Sequence, residues 1–279
     1  MSFESILFDL DGTLTESGPG ITRSVQYALH RMGIEEQDLG KLEPFVGPPL
    51  NLSFRERYGM NEEESAQAIH YFRERYDTSG VYENRLYPGV RELLSRLHKA
   101  GVRLAIASSK PEPMVHKVLE HFGIEGDFNV IVGSRMEEEL DNKMGADNKL
   151  RMVQKALQGL GIPEGARFES DIEMSLSNSS IGADAPAAAF GKTAFADFAS
   201  ARYKYGTLVA EKEAAVRADE MKRRCAMVGD RSFDMRGAKA NRVTAVGVTY
   251  GYGSRRELEE AGADFIAANA EELGEILLQ

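Results

Sequence analysis

Short apolar runs alternate with stretches of helical periodicity along much of the chain. The apolar runs, each followed by a polar or glycine-containing segment, cover residues 6–8, 102–107, 130–132, 226–228 and 243–248. The helical patterns between them cover residues 88–100, 112–122, 148–160 and 233–240. Short buried strands that alternate with helices are typical of a doubly wound α/β domain with a parallel sheet. Ligands of such a sheet bind at the carboxyl ends of its strands, so the residues that follow each run are the candidates for function.

Two stretches interrupt this alternation. Residues 15–86 are predicted to be mostly helical, which suits a small helical domain inserted after the first strand. Residues 1–14 and 87–279 then form the α/β core. The second stretch, at about residues 164–223, begins polar and becomes rich in alanine and charge. We expect one or two exposed helices there, after a disordered approach.

The composition is that of an ordinary soluble enzyme. The chain has 279 residues, of which 42% are hydrophobic and 28% charged, and its formal net charge is −10. This acidic balance argues against nucleic acid or an anionic membrane as a partner. The single cysteine, Cys225, excludes an internal disulfide and offers no metal-site spacing. The sequence shows no secretory signal pattern and no membrane-spanning segment, so we expect a cytoplasmic protein.

Two aspartates follow the first apolar run. Asp9 and Asp11 flank Leu10, and Gly12 and Thr13 come next. Residues two apart in a strand share a face, so both carboxylates can point toward one site. Gly12 allows a sharp turn and a close approach of backbone N–H groups to an anion. Taken alone, this pattern is equally consistent with an acidic turn at the end of a strand.

A second pair of aspartates follows another buried run. Asp230 comes after the run at 226–228, and Asp234 lies on the first turn of the following helical pattern. The preference of acids for a helix N-terminus explains Asp234 alone. It does not explain why Asp9, Asp11 and Asp230 converge on one sheet edge, where carboxylates repel each other unless a cation neutralises them. Oxygen-only ligation favours Mg²⁺, so these four aspartates are the predicted metal site.

Hydroxyl groups and a lysine complete the candidates. Ser108 and Ser109 follow the run at 102–107, and a hydroxyl there can donate to a phosphate oxygen. A turn that starts the next helix explains these serines equally well. Lys149 opens the helical pattern at 148–160, where the helix dipole makes a lysine mildly unfavourable. Lys149 therefore needs another reason for its position, although most surface lysines have no special role.

Four motifs occur in order along the chain. They are DLDGT at 9–13, Ser108 after a strand, Lys149 at a helix start, and GDRSFD at 229–234. In this order and on these elements they resemble the haloacid dehalogenase-like hydrolase superfamily. Other segments are similar to its phosphoglycolate phosphatase-like branch: GPPL at 47–50, YFR at 71–73, YPG at 87–89 and YGYGSR at 250–255. The resemblance covers nearly the whole chain except about residues 164–223.

The resemblance implies a phosphatase that forms a covalent intermediate. Asp9 would attack phosphorus and become an aspartyl-phosphate, and Asp11 would act first as general acid and then as general base. Asp9, the backbone carbonyl of Asp11 and Asp230 would hold Mg²⁺, with Asp234 ligating through water or orienting the others. Lys149 would bridge Asp9 and the phosphoryl group.

The resemblance also implies how the substrate would be held. Ser108, Ser109 and the amides near Asp11 and Gly12 would bind the remaining phosphate oxygens. The inserted domain, as a cap, would exclude water and select the leaving group. Gly47 and Pro48 would form a cap loop that reaches the site, although a rigid turn between cap helices explains them equally well. The partner would be a small phosphorylated metabolite such as phosphoglycolate, a nucleotide or a sugar phosphate, and the protein a monomer or homodimer.

Two departures from the family pattern bear on these expectations. The stretch at about 164–223 stands where this branch has a short connection, and it could pack on the sheet edge, mediate oligomers, bind a partner or be a solvated extension. The spacing from Gly133 to Lys149 is also a few residues longer than in the branch. Lys143 is therefore an alternative to Lys149, but the helix that begins at Lys149 keeps the apolar pattern of the family.

Other functions compete with a phosphatase. A sugar-phosphate mutase of the same superfamily uses the same aspartyl-phosphate, and phosphate release without a bisphosphate activator would separate the two. A dehalogenase has no use for Asp11 and the metal-binding acids. A receiver-type signalling domain has about half this length and no cap. A weakly catalytic binding or regulatory protein would act through the insertion, and deletion of about residues 165–222 would then abolish partner binding.

Overall fold

A six-stranded sheet organises the computed structural model, which describes residues 3–135, 147–164 and 213–279. The strands are β1 (Ser5–Phe8), β2 (Arg103–Pro111), β3 (Val130–Ser134), β4 (Cys225–Gly229), β5 (Thr244–Val248) and β6 (Phe265–Ala267). All neighbours pair in parallel, in the order β3-β2-β1-β4-β5-β6. The predicted parallel α/β fold is therefore confirmed.

Ten α-helices occur in the described residues, four of them in the connection between the first two strands. They are α1 (Gly18–Arg31), α2 (Leu50–Tyr58), α3 (Glu62–Tyr76), α4 (Val90–Lys99), α5 (Glu112–Phe122), α6 (Asp147–Gly159), α7 (213–223), α8 (Ser232–Ala240), α9 (Arg255–Glu260) and α10 (Ala270–Leu277). Short 3₁₀ helices cover Leu39–Phe45, Gly80–Tyr82 and Glu125–Asp127. Strands β1 and β4 are buried along their whole length, because helices cover both faces of the sheet.

The connection from β1 to β2 forms an inserted helical cap. Helix α1 packs against α3, and both contribute apolar side chains to one continuous core, for example Val25 and Phe72. Asn61 starts α3 with a reciprocal capping box to Glu64, which satisfies two backbone donors at that helix end. Thr15 and Leu86 pair in an antiparallel bridge, so the two chain segments that join cap and core run side by side.

The chain divides into two compact units. One comprises Met1–Ile162 with Lys222–Gln279, and the other comprises Pro163–Met221. The helical cap falls inside the first unit, so the predicted cap limits of residues 15–86 stay a prediction. One or two exposed helices are predicted within residues 164–223; residues 213–223 are helical, and residues 165–212 lie outside the described part of the chain.

Strand β2 extends further than its apolar pattern indicates. The sequence predicts that it ends at Ala107, but the strand continues to Pro111. Its register with β3 shifts between Ala107 and Pro111, so three polar residues lie in an irregular part of the strand. This irregularity holds Ser108, Ser109 and Lys110 at the carboxyl edge of the sheet, beside the end of β1.

Candidate active site

Three aspartates, two that follow neighbouring strands and one on a helix, meet at the point where the strand order of the sheet reverses. Asp9 follows β1, and Asp230 follows β4, which lies directly beside it with Phe8 opposite Val228. Open α/β sheets bind ligands at this switch point, outside the carboxyl ends of the strands. Asp234 reaches the same place from the first turn of α8. The topology therefore explains why acids far apart in the sequence converge.

Asp9 is buried and held in one orientation. The backbone N–H of Leu10 donates to its Oδ1 at 2.8 Å, and Lys149 Nζ lies 2.8 Å from the same oxygen. Burial raises the pKa of Asp9 to about 6, against the attraction of Lys149 and with further repulsion from Asp234 and Asp11. Ionising this carboxylate is therefore more costly in the folded protein than in water.

Lys149 is the cation of this cluster. Its Nζ contacts Asp9 Oδ1, lies 2.9 Å from Asp234 Oδ1 and donates to the carbonyl of Ala107 at 3.0 Å. Burial lowers the pKa of Lys149, but the two aspartates raise it more, so the amine stays protonated. The lysine that the helical pattern selects therefore lies against Asp9, while the alternative Lys143 falls outside the described residues.

Asp230 and Asp234 are oriented by backbone donors. The amide of Tyr252 donates to Asp230 Oδ2 at 2.8 Å, and the amide of Arg231 donates to Asp234 Oδ2 at 3.0 Å. Burial, followed by repulsion from Asp234 and Asp9, raises the pKa of Asp230 well above its usual range. A concentration of buried negative charge of this kind needs a further cation to be fully stabilised.

The donor set fits a hard divalent cation. Asp9, Asp230 and Asp234 each offer one carboxylate oxygen, and these three oxygens lie within 4.8 Å of one another. All are buried, and none comes from histidine or cysteine, which favours Mg²⁺ over a softer metal. The side chain of Asp11 is not part of this group. Its predicted contribution through the backbone carbonyl stays a prediction.

Asp11 instead faces a lysine and a tyrosine that the sequence did not indicate. Lys110 Nζ lies 2.8 Å from Asp11 Oδ2 and 2.5 Å from the hydroxyl of Tyr76, which belongs to cap helix α3. The pKa of Lys110 is lowered by burial but raised more strongly by Asp11, so it stays a cation. Asp11 Oδ1 is buried and has no hydrogen-bond partner among the described residues, which leaves it open to a ligand.

A small cavity lies between the cap and the aspartates. Its volume is about 70 Å³, and its lining includes Asp9, Asp11, Ser108 and Ser109 from the core. The cap loop at residues 47–50 closes the opposite side, so Gly47 and Pro48 lie next to the predicted catalytic groups. Residues of the predicted cap and of the predicted α/β core therefore line the same cavity.

Two further polar residues of this cavity escaped the sequence analysis. Ser134 Oγ and Asn148 Oδ1 are buried there without a hydrogen-bond partner among the described residues. Ser134 ends β3 in the same way as Ser108 follows the apolar part of β2, and this similarity is a signal that could have identified it. Asn148 immediately precedes Lys149, but its orientation depends on how α6 packs.

Gly12 forms the predicted tight turn and lies directly against Asp230. Its φ is +85°, and a Cβ at this position would lie 2.2 Å from Asp230 Oδ2, so only glycine fits. Its amide donates to the carbonyl of Thr15 at 2.8 Å, and Gly12 is not among the residues that line the cavity. The close approach is therefore to a neighbouring carboxylate. Binding of phosphate by this amide stays a prediction.

Comparison with known proteins identifies the family. The model of the haloacid dehalogenase-like hydrolases matches residues 6–162, and a second, HAD-hydrolase-like model matches residues 187–273. The chain belongs to the haloacid dehalogenase-like hydrolase family. A 5'-nucleotidase of Pseudomonas aeruginosa is 33% identical over 277 residues, which are 99% of this chain and 96% of that protein. The crystal structure of a predicted phosphatase from Clostridium acetobutylicum has a TM-score of 0.73 and 33% identity, with 100% of this chain and 99% of that chain covered.

Other relatives match about half of the chain. A phosphoglycolate phosphatase of Vibrio cholerae is 34% identical over 140 residues, 47% of this chain and 62% of that protein. The tyrosine-protein kinase PtkA of Mycobacterium tuberculosis is 41% identical over 141 residues, 50% of this chain and 47% of that protein. These comparisons confirm the predicted family, its phosphoglycolate phosphatase-like branch and the class of phosphoric monoester hydrolases. Within the described residues, none of the helices has the length and apolarity needed to cross a bilayer.

Proposed function

We propose that this protein is a Mg²⁺-dependent phosphatase that hydrolyses a small phosphomonoester through an aspartyl-phosphate at Asp9. One observation carries the proposal: Asp9 contacts Lys149 at 2.8 Å, shares a carboxylate cluster with Asp230 and Asp234, and lines the cavity under the cap. A nucleophilic carboxylate needs nearby positive charge to approach an anionic phosphate. Lys149 supplies one such charge directly against Asp9, and the three carboxylates could hold a second as a metal ion.

Asp9 attacks phosphorus with one carboxylate oxygen while Lys149 lowers the repulsion between the two anions. Because Lys149 also contacts Asp234 and the carbonyl of Ala107, its ammonium is fixed before substrate arrives. Fixed charges of this kind stabilise the transition state without reorganisation during the reaction. The leaving alcohol departs from the opposite side of phosphorus, and water later displaces Asp9 in the same way.

Asp11 moves the protons of both steps. It protonates the leaving alkoxide and then takes a proton from the water that attacks the aspartyl-phosphate. Asp11 lines the cavity, and its unpartnered Oδ1 can carry that proton while Oδ2 stays on Lys110. Lys110 thus holds Asp11 Oδ2 in place at the wall of the cavity, and Tyr76, which also lines the cavity, connects this pair to the cap.

Asp9, Asp230 and Asp234 would hold Mg²⁺, with the backbone carbonyl of Asp11 as a further ligand. When bound, Mg²⁺ neutralises carboxylate and phosphoryl charge and stabilises the charge that develops in the transition state. Burial, with repulsion from Asp234 and Asp9, raises the pKa of Asp230 in the protein alone, so a divalent cation should relieve the cost of ionising this group.

The remaining phosphoryl oxygens are bound by hydroxyl and amide groups at the cavity wall. Ser108 and Ser109 have this role from β2, and the unpartnered Ser134 Oγ and Asn148 Oδ1 identify two more polar groups at the same wall. An unpartnered buried polar atom costs free energy, which binding of phosphate or water would recover. Asn148 can bind through its amide NH₂, since the carboxamide has both a donor and an acceptor end.

The substrate is small, and the cap selects it. A cavity of about 70 Å³ is well below the roughly 300–1,000 Å³ of pockets that enclose larger ligands. A compact ester such as a phosphorylated hydroxy acid or sugar fits this setting better than a nucleotide, which requires the loop at 47–50 to move. The phosphoglycolate phosphatase and 5'-nucleotidase relatives make both classes the first candidates to test.

Phosphate release across a panel of phosphoesters tests this proposal. Purified protein is assayed with phosphoglycolate, nucleoside monophosphates, sugar phosphates and phosphotyrosine, with Mg²⁺ or with chelator. We expect Mg²⁺-dependent release without a bisphosphate activator, and loss of at least about a thousandfold in Asp9→Asn. Turnover that persists in chelator, or in Asp9→Asn, would show that the mechanism is wrong. Dependence on a bisphosphate would indicate a mutase instead.

A further inference from the structure

Two residues beside the metal-binding carboxylates each reach the cap. Tyr252 donates its backbone N–H to Asp230 Oδ2 at 2.8 Å. Its hydroxyl accepts a hydrogen bond from the backbone N–H of Gly18 at 2.6 Å. Gly18 is the first residue of α1, the first helix of the cap. One residue therefore connects a carboxylate of the metal site to the beginning of the cap.

Arg231 makes the same kind of connection from the other carboxylate. Its backbone N–H donates to Asp234 Oδ2 at 3.0 Å, and its Nη1 donates to the carbonyl of Val46 at 3.0 Å. Val46 directly precedes the cap loop at 47–50, which lines the cavity. In both residues the backbone orients an acid while the side chain holds a cap segment.

These connections are closely packed. A Cβ at Gly18 would lie 2.6 Å from the hydroxyl oxygen of Tyr252, and a Cβ at Gly251 would lie 2.4 Å from Asp230 Cβ. Gly47 has a φ of +102°, which other residues rarely adopt, and a Cβ there would be in ordinary contact with Arg231 Cγ at 3.4 Å. Glycines at these positions allow the cap segments and the loop at 250–253 to lie directly against the residues that orient the acids.

Glu257 fixes the side chain of Arg231. Its Oε1 accepts from Arg231 Nε at 3.0 Å and from the amide of Ser232 at 2.8 Å. Burial raises the pKa of Glu257, but the hydrogen bonds from Ser232 and Arg231 lower it more, so the carboxylate is ionised at neutral pH. The guanidinium therefore has a defined direction, with Nη1 aimed at the cap.

We propose that Arg231 and Tyr252 are positioning residues that couple the position of the cap to the orientation of Asp230 and Asp234. A cap in the position seen here holds both backbone amides against the carboxylates, which prepares them for the metal. By thermodynamic reciprocity, metal binding then favours this position of the cap to the same extent. The inference rests on the Mg²⁺ site of the proposed function, but not on turnover.

Mg²⁺ binding to the whole protein tests the coupling without any substrate. Tyr252→Phe and Arg231→Met each remove a cap contact and keep the backbone amide. Calorimetric titration should show Mg²⁺ dissociation constants raised by about 3- to 10-fold, the effect of about one hydrogen bond. The matched control is Lys117→Met, since Lys117 Nζ donates from α5 to the carbonyl of Asp77 at 3.4 Å but contacts no acid of the site. This control should stay within about twofold of wild type.

Hydrogen exchange gives the reciprocal measurement. In wild type, Mg²⁺ should slow exchange in peptides that cover residues 16–22 and 44–50, although the metal contacts neither. The effect should shrink in both variants and persist in Lys117→Met. Unchanged Mg²⁺ affinity in both variants, equal weakening in Lys117→Met, or absence of Mg²⁺ binding in wild type would each overturn the inference.

Different results would contradict the proposed coupling and the proposed phosphatase activity. If wild type hydrolyses phosphoesters but the variants bind Mg²⁺ as wild type does, the coupling is wrong and the phosphatase stands. If the variants lose Mg²⁺ affinity and exchange protection but no ester is hydrolysed, the coupling stands and the proposed reaction is wrong.

Discussion

Replacing Asp9 by asparagine should abolish activity and at the same time stabilise the metal-free protein. The pKa of Asp9 is raised from 3.8 to about 6, chiefly by burial. One pKa unit corresponds to about 1.4 kcal/mol, so ionising Asp9 costs about 3 kcal/mol more in the folded protein than in the unfolded chain. This cost already includes the attraction of Lys149. Asparagine has nearly the same shape and carries no charge, so it avoids the cost.

The sign of the pH dependence follows from the direction of this shift. Between about pH 4 and pH 6 the folded protein binds the Asp9 proton more tightly than the unfolded chain does. The contribution of Asp9 to stability therefore falls as pH rises through this range and is constant above it. Asp9→Asn lacks this titration, so its free energy of unfolding should equal that of wild type near pH 4. It should exceed wild type by up to about 3 kcal/mol at pH 7.5.

Urea unfolding in chelator measures this difference. Curves for wild type and Asp9→Asn are recorded from pH 4 to pH 8, with Glu120→Gln as a control, because Glu120 is an exposed acid on α5. The control should differ from wild type by less than about 0.5 kcal/mol at every pH. An Asp9→Asn protein that is less stable than wild type at pH 7.5, or a difference that does not grow between pH 4 and pH 6, would refute the reasoning.

Three further predictions concern neighbours of Asp9. Lys149→Met leaves buried carboxylates without their cation, so the free energy of unfolding in chelator should fall by about 3–5 kcal/mol. Lys155 is exposed on the same helix, and Lys155→Met should lower the free energy of unfolding by less than about 0.5 kcal/mol. A Lys149→Met loss below about 1 kcal/mol would contradict the ion-pair geometry. Mg²⁺ at about 100 times its dissociation constant should stabilise wild type by about 2.7 kcal/mol in thermal unfolding. Asp230→Asn should not be stabilised by Mg²⁺. Stabilisation of Asp230→Asn by Mg²⁺ would show that the metal binds elsewhere. Gly12→Ala places a Cβ 2.2 Å from Asp230 Oδ2, so kcat/KM should fall by at least about tenfold, and an unchanged value would contradict the packing.

The sheet and the convergence of its acids could be predicted from the sequence because both follow from local patterns. Apolar runs with helical stretches between them indicate parallel strands, and polar residues after each run must then meet at one edge. Helix α3 begins at a local signal, since Asn61 and Glu64 form a capping box there. Lys149 could be selected over Lys143 because it opens a helix with a clear apolar face.

The groups around Asp11 could not be predicted, since they depend on contacts between distant segments. Lys110 follows two serines, which resembles an exposed turn, and nothing local shows that β2 continues to Pro111. Tyr76 ends a cap helix whose packing on the core brings its hydroxyl to Lys110. The cap connections of Arg231 and Tyr252 depend in the same way on tertiary packing.

The most direct test of the central claim is to locate the phosphoryl group on the protein during turnover. Wild-type protein with Mg²⁺ and the ester that it hydrolyses fastest is quenched in acid within the first turnover, digested and analysed by mass spectrometry. We predict one phosphoryl group on the peptide that contains Asp9, absent from chelator-treated protein and from Asp9→Asn. Turnover with no phosphoryl group on that peptide, or with the group on another residue, would contradict the account.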